Sequence, residues 1–138
     1  MENIEEVKSA IEISGLPVSS ACNGCRGWIG DFIEERRKNG VEDLKKMLHA
    51  LAEVGGNGFV VPAAWGMFSY RLPTLVSPRS REGDREALFT SLSELDKTAQ
   101  ETGTYIYLEP LNRYEDHLLN QQQARVDILV KGTFTEVK

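Results

Sequence analysis

Three short apolar stretches, each bounded by Gly or Pro and separated by segments of helical period, constrain this chain most. Residues 18–22 read Val-Ser-Ser-Ala-Cys between Pro17 and Gly24. Residues 58–62 read Gly-Phe-Val-Val-Pro, and residues 104–109 read Thr-Tyr-Ile-Tyr-Leu-Glu and stop at Pro110. Short runs of small, β-branched and aromatic residues bounded by breakers suit strands of a buried sheet. Between them, Ile4, Val7, Ala10 and Ile11 predict a helix over residues 3–14 that Gly15 and Pro17 end. Val41, Leu44, Met47, Leu48, Leu51 and Val54 trace one face of a second helix closed by Gly55 and Gly56. Asp84 starts a third, with Leu88, Leu92, Leu95 and Ala99 as its buried stripe and Gly103 as its end. Residues 116–131 read as a fourth helix, and residues 133–137 alternate as the opening of a further strand.

Strands alternating with helices predict right-handed βαβ units on a parallel sheet. The connections are asymmetric. Helix-to-strand turns are tight and marked by Gly, whereas the strand-to-helix segments, 23–39 and 63–81, are long and hold aromatic, Arg and polar residues. The first is expected to be a long loop that runs into a helix, with the charged run Glu34-Glu35-Arg36-Arg37-Lys38 as an exposed face. A barrel puts its chemistry on such loops at the C-terminal ends of its strands. An open doubly wound sheet follows the same rule, so asymmetry alone leaves closure undecided.

Composition narrows the partners. With 138 residues, 41% hydrophobic and 27% charged, the chain can bury a core, and a single domain over 1–138 is expected. A net charge of −5 is a poor match for nucleic acid. No run of apolar residues is long enough to span a membrane, and the acidic start, Met-Glu-Asn-Ile-Glu-Glu, lacks the pattern of a signal peptide. A cytoplasmic protein is the expectation. With two cysteines, Cys22 and Cys25, a disulfide framework is not the organising device.

The densest chemistry follows the third strand: Glu109-Pro110-Leu111-Asn112-Arg113-Tyr114-Glu115-Asp116-His117. A carboxylate where an apolar strand ends projects into a pocket mouth. There it can bind a metal or take a proton from a carbon next to a carbonyl. Asn112 and Arg113 suit hydroxyls or an anion, and Glu115 adds a second carboxylate. The bland alternative is a solvated strand-end acid followed by a polar loop. Arg26, Trp28, Trp65 and Phe68 fall on the other two loops, with Tyr70 and Arg71. An aromatic wall with Arg can stack on a sugar and hold a phosphate, and the same residues can simply pack over the loops. Arg79 and Arg81 read as solvated, and His49 as a helix-surface residue. Cys22-Asn23-Gly24-Cys25 has redox spacing but no second pair to complete a zinc site.

The run from Glu109 to Asn120 resembles the fifth-strand motif of the sugar phosphate isomerase/epimerase family, of the xylose isomerase-like barrel superfamily. Two further stretches resemble the family's third and fourth strands with their loops. One runs from Val18 through Arg26, Trp28 and Asp31. The other is Val61-Pro62 with Gly66-Met67-Phe68-Ser69, Leu72-Pro73, Ser77-Pro78-Arg79-Ser80 and Asp84-Arg85. The likeness covers about residues 15–120.

It implies an α/β fold, a partial (half) TIM barrel. It implies a divalent metal (Mn, Mg, Co or Zn) held by acidic and His residues on strands five to eight, with Glu109 matching the strand-five ligand and proton shuttle. Glu115 matches a carboxylate near the reacting end of the substrate, a sugar or keto acid. Strands one, two, six, seven and eight have no match, and His117 does not match the metal-binding His. The expectation is therefore the central fragment of a metal-dependent sugar isomerase or epimerase, catalytically silent as an isolated chain and binding no metal alone. A half barrel leaves two raw strand edges and an exposed apolar sheet face, so a homo-oligomer is expected. A non-catalytic sugar- or partner-binding remnant and a thiol-redox module on Cys22 and Cys25 are the alternatives. DNA repair of the apurinic-endonuclease type shares the superfamily, but the acidic charge and the missing ligand cluster weigh against it.

Overall fold

In the computed structural model, which describes residues 3–22, 26–65, 78–112, 115 and 118–119, three helices alternate with three strands. The order is α1 (Ile4–Ser14), β1 (Ser20–Cys22), α2 (Glu34–Glu53), β2 (Gly58–Pro62), α3 (Arg81–Thr102) and β3 (Tyr105–Glu109). The strands form one parallel sheet in the order β1-β2-β3. Ser20 stands opposite Gly58, Gly58 opposite Tyr105, and Pro62 opposite Glu109. This is the partial parallel α/β barrel expected from the alternation. The expected fourth helix and the strand after it lie outside the described residues.

Glycines stop the helices where the chain must turn back. Gly15 and Gly103 cap α1 and α3 at φ 67° and 65°, left-handed values that a residue with a Cβ adopts only at a cost. Ser80 opens α3, its hydroxyl accepting the Gly83 N–H at 3.1 Å.

Strand alternation divides the sheet into two faces. Phe59, Val61, Ile106 and Leu108 turn toward the helices and join Val41, Leu44, Leu48 and Leu51 of α2 and Leu88, Leu92, Leu95 and Ala99 of α3 in one buried cluster. Ser20, Cys22, Val60, Tyr105, Tyr107 and Glu109 take the other face. Tyr105 and Tyr107 stack there, ring centroids 6.2 Å apart, and the Tyr107 ring lies over Gly58, where a Cβ would stand 2.5 Å from Cε2. Among the described residues this face, the side on which a barrel keeps its interior, carries Tyr105, Tyr107 and Glu109 beside the apolar Val60 and Pro62.

Two expectations change. Residues 34–39, read as part of a loop, are the first turns of α2. Asp31 supports the entry to that helix, its Oδ1 accepting the Ile33 N–H at 2.9 Å. The charged run is also not uniformly exposed: Arg37 is 5% exposed, its guanidinium bridging Glu34 and Ser91.

The helix α1 buries no residue, and Val7 and Ile13 stay exposed. Between α1, β1 and α2 lies an apolar groove of about 540 Å³ lined by Ile4, Val7, Val18, Met47, Val54 and Phe59 among others. Among the described residues no helix is long and apolar enough to cross a membrane.

Candidate active site

The C-terminal ends of all three strands lie along one edge of the parallel sheet, and the loops leaving them meet there. Glu109 ends β3, opposite Pro62 of β2. It is half-buried, and its carboxylate makes no hydrogen bond or ion pair with another described residue. The chain turns directly after it. The Glu115 N–H donates to the Asn112 carbonyl at 2.9 Å, and the Asn112 amide donates to a Glu115 carboxylate oxygen. Asn112 therefore holds Glu115 in place close to the strand end, and two carboxylates, one tied and one not, flank the turn.

The described part of the loop after β1, residues 26–33, is tied down by hydrogen bonds to its neighbours. Its Ile29 is fully buried, and the Ile29 carbonyl accepts from Ser91 Oγ of α3 at 2.7 Å. Gly30 donates its N–H to the Ala63 carbonyl, just past β2, at 2.8 Å. The Asp31 N–H closes a turn onto the Trp28 carbonyl at 2.9 Å. Gly27 and Gly40 touch through their backbones: a Cβ on Gly40 would stand 2.5 Å from the Gly27 oxygen. This bonding brings Trp28 against Trp65, edge to face, with centroids 6.2 Å apart and planes at 72°. Trp65 is 44% exposed, so the pair offers an apolar edge at the mouth of the strand-end region.

The sequence candidates therefore divide. Glu109, Glu115 and Asn112 lie together around the end of β3, and Trp28 and Trp65 pair with each other. Arg26 turns to α2, its Nε and Nη2 donating to the two oxygens of Asp43 at 2.8 and 2.6 Å. That ion pair holds the Asp43 carboxyl below the usual carboxylate range, chiefly through the Arg26 hydrogen bond. Arg113, Phe68, His117, Tyr70, Arg71 and Cys25 lie outside the described residues. Cys22 is an exposed free thiol at the end of β1. His49 is exposed on α2, as expected.

Sequence reasoning missed Arg79, taken as solvated. Its Nη2 donates to the Gly30 carbonyl at 2.6 Å and its Nε to Asp84 Oδ1 at 2.9 Å, while the guanidinium lies over the Phe32 ring, 5.3 Å from its centroid. The adjacent N-cap Ser80 was the only local sign that Arg79 sits at an ordered helix entry.

Among the described residues no three His, Cys, Asp or Glu side chains gather as a metal site would require. A divalent ion takes four or more ligands. Glu109 supplies one, and the Glu115 carboxylate is already engaged by Asn112. The described residues do not by themselves fit a metal.

A parallel α/β sheet whose strands follow one another in chain order, with acidic residues and aromatic loops at the strand C-termini, is the arrangement of a (β/α) barrel segment. Residues 1–131 match the family model of the xylose isomerase-like TIM barrel, and the chain belongs to that family. The 3-dehydro-D-guloside 4-epimerase of Escherichia coli K12 is 62% identical over 120 residues, covering 87% of this chain and 46% of that protein. The D-psicose 3-epimerase of Enterocloster bolteae is 34% identical over 73 residues, covering 53% of this chain and 24% of that protein. The crystal structure of 3-keto-D-glucoside 4-epimerase from E. coli, in its apo form, superposes with a TM-score of 0.94 at 55% identity, over 99% of this chain and 52% of that one. The chain thus spans about half the length of its E. coli relatives, as the expectation of a partial barrel required. These relatives are sugar epimerases.

Proposed function

We propose that this chain is the central part of a sugar epimerase acting on a keto-sugar by proton transfer at the carbon next to the carbonyl. The observation that carries the reading is the half-buried Glu109 carboxylate at the end of β3, beside the Asn112–Glu115 pair, in a chain 62% identical to a 4-epimerase of a 3-dehydro sugar. The chemistry follows from that relative's name. A ketone at C3 acidifies the hydrogen on C4; removing it as a proton leaves an enolate, and returning a proton to the opposite face inverts the centre.

In this reading Glu109 takes or returns the proton on one face. Asn112 and Glu115 bind and orient hydroxyls near the reacting end, and Trp28 and Trp65 supply the apolar edge along which a sugar ring lies. Arg113 and Phe68 belong to the same reading as substrate contacts. Inversion needs a second acid or base on the other face, and family resemblance assigns it, with the remaining metal ligands, to strands without counterparts here. The divalent metal that the family resemblance implies, with Glu109 as one ligand, would polarise the substrate's oxygens. The chain alone is then expected to bind no metal tightly and to turn nothing over. The sheet edges and inner face left open among the described residues favour association with a second copy.

The test is a chimera in which these residues replace the matching segment of the E. coli 3-dehydro-D-guloside 4-epimerase. A folded chimera that epimerises the relative's substrate supports the reading, and a folded but inert one contradicts it. Sugar binding without turnover, in chain and chimera alike, would instead support a non-catalytic binding role built on the Trp28–Trp65 pair.

A further inference from the structure

Gly30 touches the segments leaving all three strands. It lies in the loop after β1. Its N–H bonds the Ala63 carbonyl at the end of β2, and its carbonyl accepts Arg79 Nη2 at the entry to α3. On its third side, Leu118 from beyond β3 fills the space of a side chain: a Cβ on Gly30 would stand 2.4 Å from Leu118 Cδ1. Gly30 lies two positions after Trp28, and Ala63 two before Trp65. The Gly30–Ala63 bond therefore sets how the two indoles meet.

Arg79 bonds Gly30 on its carbonyl side. Its side chain is 20% exposed and Asp84, its anchor on α3, 6%. A guanidinium carries several donors in a fixed plane, so it can reach Asp84 and the Gly30 carbonyl at once while its face lies on Phe32. Lysine offers one nitrogen and cannot reproduce that plane. The helix start is thus linked, through one side chain and one peptide unit, to the aromatic edge of the site.

We propose that Arg79 is a positioning residue for substrate binding, clamping Gly30 so that Trp28 and Trp65 keep their edge-to-face arrangement. It touches no substrate itself. The part of this inference that concerns sugar rests on the epimerase reading; the part that concerns the indoles does not.

The experiment compares the wild-type chain with Arg79→Met, Arg79→Lys and Phe32→Leu. The readouts are the near-ultraviolet circular dichroism of the coupled indoles, thermal unfolding, and tryptophan-fluorescence titration with D-psicose. Arg79→Met keeps a long apolar stem and loses every donor. It is expected to lose the coupled-indole signal and weaken psicose binding about tenfold, the loss of one charge-assisted contact. Arg79→Lys should recover little of either, and Phe32→Leu, which keeps the Asp84 and Gly30 hydrogen bonds and removes only the ring beneath the guanidinium, should lose less of each than Arg79→Met.

A folded Arg79→Met with wild-type indole coupling overturns the proposal. If that variant does not fold, Asp84→Asn, which weakens the anchor alone, must reduce the coupling, and an unchanged signal there overturns it equally. If the wild type binds no psicose, the sugar reading loses its support while the indole signal still decides the role of Arg79.

Discussion

Arg37 Nη1 donates to Ser91 Oγ at 2.7 Å, and the same hydroxyl donates to the Ile29 carbonyl at 2.7 Å, so a buried chain of polar groups runs from α2 through α3 to the loop after β1. Ser91 is fully buried and Arg37 nearly so. Removing the hydroxyl leaves a guanidinium N–H and a carbonyl without this partner in a dry interior. Ser91→Ala is expected to destabilise the chain by about 1–3 kcal/mol. Urea unfolding measures it, and a variant as stable as wild type would show that the hydroxyl is dispensable.

The other end of that chain gives a pH dependence. Glu34 receives Arg37 through both carboxylate oxygens, which lowers its pKa from 4.5 to about 2, the Arg37 hydrogen bond being the first cause. The folded value lies below the unfolded one, so the stabilisation is whole above about pH 4.5 and fades as the pH falls toward 2. Glu34 is 58% exposed, and solvent keeps the effect small. The stability gap between wild type and Glu34→Gln should be constant from neutral pH to about 4.5 and close toward pH 2, followed by denaturant midpoints. A gap unchanged at low pH would mean that the pair forms no such link.

Gly40 reverses a general rule. Inside a helix, Gly→Ala ordinarily stabilises by about 1 kcal/mol. Here the new methyl would stand 2.5 Å from the Gly27 carbonyl oxygen and 2.9 Å from its carbon, both backbone atoms that cannot swing aside. Overpacking of that kind costs about 1–3 kcal/mol, so Gly40→Ala is expected to destabilise despite the better helix former. A rise in melting temperature would show that the loop after β1 yields more easily than its bonding suggests.

Much of this architecture was legible in the sequence, for a local reason. Residues 58–62 and 105–109 are strands because apolar, β-branched and aromatic residues stand between breakers, and Gly15 and Gly103 stop helices at left-handed turns, all settled within a few residues. The first turns of α2 were not legible, since Glu34 to Asn39 carry no apolar stripe and take their helical form from Asp31 before them and Arg37 within. Arg37 and Arg79 escaped notice because their partners are distant: Arg37 meets Ser91 across 54 positions and Arg79 meets Gly30 across 49. A charge looks solvated until the fold supplies its acceptor. Glu109 stood out because strand, breaker and polar turn adjoin in the chain.

The sheet ends at β1 and β3 among the described residues, with an uncovered inner face and an apolar groove beside α1. Parallel strand edges are seldom left bare. The chain is expected to show a solution mass above its 15.4 kDa at micromolar concentration, by light scattering. A clean monomer would contradict the expectation of association.

If Glu109 moves the proton, deuterium from solvent must enter the substrate at C4. The chimera with the E. coli epimerase is incubated with that enzyme's 3-dehydro sugar in D₂O, and loss of the C4 hydrogen is followed by NMR. Glu109→Gln keeps the shape of the side chain and removes the base. Inversion is predicted to fall by about 10²–10⁴-fold, the worth of a positioned general base, while exchange can persist only from the epimer whose C4 hydrogen faces the second base. Inversion at the parent rate in a folded Glu109→Gln chimera would contradict a role for Glu109 as the base.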